Sequence, residues 1–170
     1  LFLAGGGVNI AGANEYFTKV VDKTKIPVVT TIMGRGAVPT DHPLYIGNLG
    51  MHGAYAANMA VEECDLLFSI GTRFNDRITG KIHEFAPKAQ IVHIDIDTSS
   101  ISRNVHVDVP IVADALEAAQ KIYEYAEENE QVEWLEKIKA WKAEHPLTMK
   151  NQSKLTPQKI IETINETFDE

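Results

Sequence analysis

Two arginines four residues apart stand in the string Ile70-Gly71-Thr72-Arg73-Phe74-Asn75-Asp76-Arg77-Ile78-Thr79-Gly80-Lys81, directly after a run of apolar residues. Guanidinium forks pair bidentately with phosphate, and Asp76 stands between the two where it can orient one of them. The competing reading is a surface Asp–Arg pair with no ligand, worth at most ~1 kcal/mol. Placement at the end of a buried strand favours the anion.

Three glycine-rich turns precede that string. Leu3-Ala4-Gly5-Gly6-Gly7-Val8-Asn9-Ile10 joins a strand to a helix, the place where main-chain N–H groups receive a phosphate. It departs from the dinucleotide fingerprint, because Ile10 stands where the third glycine belongs and the second apolar run ends Val29-Thr30-Thr31 instead of in an acid. A standard NAD site is therefore disfavoured, and a tight turn without ligand is the alternative. Thr31-Ile32-Met33-Gly34-Arg35-Gly36 and Gly47-Asn48-Leu49-Gly50-Met51-His52-Gly53 fall on the same edge. His52 has the chemistry of a metal ligand or a base. It has no companion at ligand spacing, which favours a hydrogen-bonding or packing role.

The last candidate is His93-Ile94-Asp95-Ile96-Asp97. Carboxylates at a strand end accept hydrogen bonds from ribose hydroxyls, but Asp97 is equally placed to cap a short helix starting near Thr98. Asp114 has the same two options, facing a ligand or capping the helix that follows. What is missing is as informative. There is no GxxxxGK[ST] loop, HExxH, GxSxG or metal-binding Gly-Asp-Gly motif, and no nucleophile–base pair. The one cysteine, Cys64, excludes an internal disulfide framework and a cysteine-based zinc cluster. A bound adenine nucleotide fits these residues; catalysis by this chain alone does not, so no catalytic and no metal-binding residue is assigned.

The elements that must position these loops follow from the apolar pattern. With 170 residues, 44% of them hydrophobic, the chain has the material for one compact domain, and no apolar run approaches a membrane span. A net charge of −8 argues against a general nucleic-acid or anionic-membrane surface. Apolar runs at 1–4, 27–31, 65–70, 90–95 and 107–112 alternate with helical stretches at 11–21 and 54–64 and a short one after Asp97. Continuous apolar strands between helices specify an α/β fold, a Rossmann-like doubly wound parallel sheet with helices on both faces. Residues 113–145 lack glycine and proline and carry nine acids against four lysines, which reads as two amphipathic helices broken near 128–131, with solvated acidic faces. Residues 146–155 read as a linker, and Thr156-Pro157 opens a last helix with an apolar stripe of Ile160, Ile161, Ile164 and Phe168. The expected division is a nucleotide-binding domain over 1–145 and, over 146–170, a linker with the start of a following domain. Leu1-Phe2-Leu3 reads as the tail of a buried strand with no leader before it, as in an excised piece.

Taken together, Gly5-Gly6-Gly7, Thr31-Ile32-Met33-Gly34, Leu49-Gly50-Met51-His52-Gly53, the arginine string and Val92-His93-Ile94-Asp95-Ile96-Asp97 resemble one family. It is the central domain of the acetolactate synthase (acetohydroxyacid synthase) catalytic large subunit, a thiamine-diphosphate enzyme, and the likeness runs from Leu1 to about Ile122. Asn75 stands where that family usually carries Asp. The resemblance implies FAD across the strand ends, structural and without net redox change. It places thiamine diphosphate, its Mg²⁺ motif and the activating glutamate in neighbouring domains. For the full-length enzyme it implies condensation of two pyruvates, or pyruvate and 2-oxobutanoate, with loss of CO₂, in branched-chain amino-acid biosynthesis. It further implies a homodimer or tetramer, a regulatory small subunit, and a cytoplasmic location in a bacterium.

Carried over by position, Gly5, Gly6, Gly7, Thr31, Ile32, Met33 and Gly34 approach the flavin nucleotide, and Leu49, Gly50, Met51 and His52 line the flavin. Gly71, Thr72, Arg73, Asn75, Arg77 and Ile78 surround the ribityl and diphosphate groups, and Asp95, Ile96 and Asp114 hold the adenosine end. Two other readings stand beside this one. One is the middle domain of a related thiamine-diphosphate enzyme that binds ADP or no nucleotide; the other is a non-catalytic nucleotide-sensing module.

Overall fold

The run Val28-Val29-Thr30 has no polar residue alternating with its apolar ones because both of its faces are buried. The same holds for Phe2-Leu3-Ala4, and such strands have one stable environment, the middle of a sheet between two helix layers. The computed structural model describes residues 1–148 and 155–168. Six strands, β1 (Phe2–Ala4), β2 (Val28–Thr30), β3 (Tyr45–Asn48), β4 (Leu66–Ile70), β5 (Gln90–Asp95) and β6 (Val109–Val112), form one parallel sheet in the order β3-β2-β1-β4-β5-β6. That is the doubly wound order, in which the chain winds outward in both directions from β1 and β4.

The helices are α1 (Gly6–Ile10), α2 (Asn14–Thr24), α3 (Tyr55–Glu63), α4 (Asp76–Thr79), α5 (Ala115–Tyr125), α6 (Val132–Glu144) and α7 (Pro157–Thr167). Val8 of α1, Phe17, Val20 and Val21 of α2, and Ala115 and Ala118 of α5 cover one face, against Phe2, Ala4, Val28, Ile70 and Ile94. The other face carries Leu3, Val29, Leu67 and Ile91, covered by α3 and by Ile138 of α6. α3 presents Ala56, Ala57 and Ala60 to the sheet, and the absence of bulk there lets it lie close. Each large apolar side chain buried in these layers contributes about 1.5–3 kcal/mol.

The expected α/β architecture and the break between the two acidic helices are therefore present. Three local expectations are corrected. The helix expected over 11–21 begins later, at Asn14, and runs on to Thr24 as α2, while the separate α1 ends at Ile10 ahead of Gly12, whose φ of +64° a helix does not accept. The short helix expected after Asp97 is a set of turns. Asp97 Oδ1 takes the Ser99 N–H at 2.9 Å and Oδ2 the Ser100 hydroxyl at 3.0 Å, local bonds that compete with helix formation. β3 had no apolar run to announce it, because only Ile46 of Tyr45-Ile46-Gly47-Asn48 is a buried large side chain on this edge strand.

α7 begins as expected, with Thr156 Oγ1 accepting from the Lys159 N–H at 3.2 Å and Pro157 at the first helical position. Its Ile160, Ile161, Ile164 and Phe168 are exposed. Most of the expected linker at 146–155 lies outside the described residues. Among those described, no helix is long and apolar enough to cross a membrane.

Candidate functional site

The crossover direction reverses between β1 and β4, and the carboxyl ends of two such strands are where doubly wound sheets take their ligands. Gly5 and Gly7 lie there directly on Gly71. The Gly5 N–H donates to the Ile70 carbonyl at 2.8 Å and the Gly7 N–H to the Gly71 carbonyl at 3.0 Å. A Cβ on Gly5 would stand 2.1 Å from the Gly71 oxygen, and one on Gly7 2.6 Å from the Gly71 Cα. These glycines thus let two loops touch, main chain on main chain. The amides of Gly5 and Gly7 are spent inside the protein, and of the triplet only Gly6 keeps an undonated N–H among the described residues.

The turn after β2 is fastened to this crossing. Thr31 donates its N–H to the Ala4 carbonyl at 3.0 Å, and its hydroxyl accepts from the Gly34 N–H at 3.0 Å. A Cβ at Gly34 would lie 2.1 Å from the Ala4 oxygen. Asn9 of α1 donates from Nδ2 to the carbonyls of Met33 and Arg35, at 2.9 and 3.0 Å. Asn14 in turn donates to Asn9 Oδ1 and the Gly36 carbonyl, both at 2.7 Å. Held this way, Ile32 and Met33 point outward, 68% and 70% exposed. The turn after β3 is clamped by Asn58 of α3, which bonds both the N–H and the carbonyl of Gly50. Met51 donates its N–H to the Arg77 carbonyl at 3.0 Å, so this loop reaches α4, and its own side chain is 65% exposed.

The loop after β4 carries the two arginines. His93, wholly buried in β5, bonds the Thr72 carbonyl from Nε2 at 2.7 Å. Asn104 donates to the carbonyls of Arg73 and Phe74 at 3.2 and 3.1 Å. Across residues 72–77 no backbone N–H finds an acceptor among the described residues. Arg73 and Arg77 are exposed, and neither guanidinium makes a hydrogen bond or ion pair there. Asp76 pairs with neither, so the ligand-free surface pair is not what forms. All four arginines of the sequence, Arg35, Arg73, Arg77 and Arg103, follow the ends of β2, β4 and β5, and none is in an ion pair among the described residues. The lysines behave differently: Lys19, Lys81, Lys121 and Lys137 each pair with a glutamate.

The acids of the rim hold turns. Asp95 Oδ1 accepts the Asp97 N–H at 2.9 Å, and hydrogen bonds from Ser99 and Ser100 hold the Asp97 carboxyl below its ordinary range. Asp114 Oδ1 accepts from the Leu116 and Glu117 N–H groups at 2.8 and 3.4 Å, which makes it the cap of α5. Ile96, between Asp95 and Asp97, is 70% exposed. Leu49, Gly50 and Thr72 are buried beneath the rim, Asn75 is exposed on it and Ile78 is half-buried. His52 is exposed and without a partner, and no cluster of metal-ligating side chains exists among the described residues. Under the loop, Ser69 Oγ, Thr72 Oγ1 and His93 Nδ1 are buried without partners, and a buried water is the ordinary partner for such groups. Asn9, Asn14, Asn58 and Asn104 escaped the sequence reading, since a lone asparagine in a helix or turn announces nothing about which distant loop it ties down.

The rim thus presents a row of undonated amides and unpaired arginines beside bare apolar side chains. Comparisons with known proteins identify the family. The sequence matches the family described as thiamine pyrophosphate enzyme, central domain, over residues 1–122. It is similar to the probable acetolactate synthase large subunit of Methanocaldococcus jannaschii, with 44% identity across 100% of this chain and 29% of that protein. The acetolactate synthase large subunit of Porphyra purpurea is 41% identical over 98% of this chain and 29% of its own length. For the isozyme 3 large subunit of Escherichia coli the figures are 38%, 94% and 29%. The chain therefore spans less than a third of the length of the relatives it matches. It belongs to the family of thiamine pyrophosphate enzyme central domains.

Proposed function

We propose that the carboxyl edge of the sheet binds FAD, as a structural cofactor within an acetolactate synthase. The observation that carries this is the coincidence, in residues 72–77, of undonated amides with two unpaired guanidinium groups. Fixed main-chain donors and arginine forks are what a diphosphate requires. Arg73 and Arg77 take the diphosphate, with Asn75 and the Gly6 amide beside them. Ile32, Met33 and Met51 offer the apolar surface that a flat isoalloxazine covers, with His52 at its margin. Ile96 packs on the adenosine end, near Asp95 and Asp114. Gly5, Gly7, Thr31, Gly34, Leu49, Gly50, Gly71, Thr72 and Ile78 support this edge, mostly from beneath. The adenosine end is where the site departs from a simple dinucleotide reading, because one oxygen of Asp114 is already committed to capping α5.

In the whole enzyme, this domain contributes no catalytic group. Thiamine diphosphate and Mg²⁺ are held by neighbouring domains, and the reaction is the decarboxylating condensation of pyruvate with a second 2-oxo acid. A regulatory small subunit and a homo-oligomer belong to the same proposal. Calorimetric titration of the chain with FAD and with ADP tests it. Saturable binding of both, with FAD tighter, is the expected result, since only the flavin half reaches Ile32, Met33 and Met51. Equal affinity for the two would instead support the ADP-binding alternative, and binding of neither would remove the nucleotide from this chain.

A further inference from the structure

Between Gly71 and α4 the arginine loop has no regular structure, yet three consecutive carbonyls in it are held from below. A carbonyl only accepts, so the His93 nitrogen facing Thr72 carries the proton, and the ring is the neutral tautomer protonated at Nε2. Asn104 holds the next two carbonyls with one amide group. Phe74 takes a left-handed φ of 47°, a conformation that a non-glycine residue adopts only when its surroundings hold it there. Its ring is anchored edge-on, 4.9 Å from His93 and 5.8 Å from Phe85. In a trans peptide the C=O of one residue and the N–H of the next point opposite ways. Drawing the carbonyls of Thr72, Arg73 and Phe74 inward therefore turns the N–H groups of Arg73, Phe74 and Asn75 outward, where they have no acceptor.

We propose that His93 and Asn104 are positioning residues that set this amide row to receive the phosphates of a nucleotide. This rests on the nucleotide reading above, and it adds the two side chains that build the cradle without touching the ligand. The surroundings of His93 keep it in that role. Its register neighbours are Ser69 of β4 and Pro110 of β6, both uncharged, and the loop brings Phe74. The Asp95 carboxylate, at 3.9 Å, is the charged group beside it.

The test compares His93→Phe, His93→Gln and Asn104→Leu with the unaltered chain. Binding of ADP and of FAD is measured by calorimetry, and backbone order parameters at residues 73–75 by NMR without ligand. His93→Phe keeps the bulk and loses the donor; His93→Gln restores a donor. Both His93→Phe and Asn104→Leu weaken ADP and FAD alike by about tenfold, because the two ligands share the diphosphate. They also lower the order parameters at 73–75 and nowhere else, and His93→Gln recovers most of both effects. Asn104 is half-buried, so its variant carries the test alone if His93→Phe does not fold. Unaltered affinity and order in the variants would overturn the proposal. If the parent chain binds neither nucleotide, the site reading falls by itself, and the order parameters alone decide whether the two side chains set the loop.

Discussion

Gly5 and Gly71 meet where β1 and β4 part, so closely that a single methyl on Gly5 would fall 2.1 Å from the Gly71 oxygen and 2.4 Å from the Thr72 hydroxyl. Neither obstacle at Gly71 is a side chain that can swing away, since the near atoms there are main chain. Gly5→Ala therefore pushes the two loops apart and costs about 1–3 kcal/mol of stability, the usual range for overpacking. Urea unfolding of the variant will show a lower midpoint with an unchanged slope.

Arg73 and Arg77 make no bond that the fold needs. Replacing either with alanine leaves the unfolding midpoint within about 0.5 kcal/mol of the parent. The same change weakens FAD and ADP by about 1–3 kcal/mol, the worth of a charge-assisted contact. Loss of stability without loss of affinity in these variants would contradict the assignment.

Burial lowers the pKa of His93 below its ordinary 6.5. Near and below that pH the unfolded chain binds a proton that the folded chain refuses. The stabilisation is thus complete above about pH 6.5 and is lost as pH falls through the folded value. Unfolding at about pH 7.5 and about pH 5.5 measures it. The parent loses more stability on acidification than His93→Gln, which has no imidazole to titrate.

Cys64 closes α3 in the core, and burial pushes its thiol up to about 11. The nucleophile is the thiolate, so the folded chain resists a disulfide reagent at neutral pH and reacts fully once unfolded in urea. Rapid labelling under native conditions would mean that the α3 end of the core opens.

Much of this architecture was legible because buried parallel strands advertise themselves as apolar runs, unbroken in Phe2 to Ala4 and interrupted only by His93 in Ile91 to Ile94. β3 was not, since an edge strand with Gly47 and Asn48 has no such run. The arginine loop could be read as a strand-end anion site from residue type and position. Its support could not, because what makes the loop rigid is His93 and Asn104 reaching across from other segments, 21 and 31 residues away from the carbonyls they hold. Glycine was legible as special but ambiguous in purpose. A positive φ, a ligand and a touching backbone all demand it, and at Gly5 and Gly7 the structure shows the third.

The central claim is a nucleotide seated on the carboxyl edge, and amide-resolved NMR of the ¹⁵N-labelled chain during FAD titration tests it most directly. The account predicts saturable shifts concentrated at residues 72–77 and at Gly6, Met33, Met51 and Ile96, with the acidic helices α5 and α6 silent beyond the Asp114 cap. Shifts scattered over those helices, or none at saturating FAD, would contradict it.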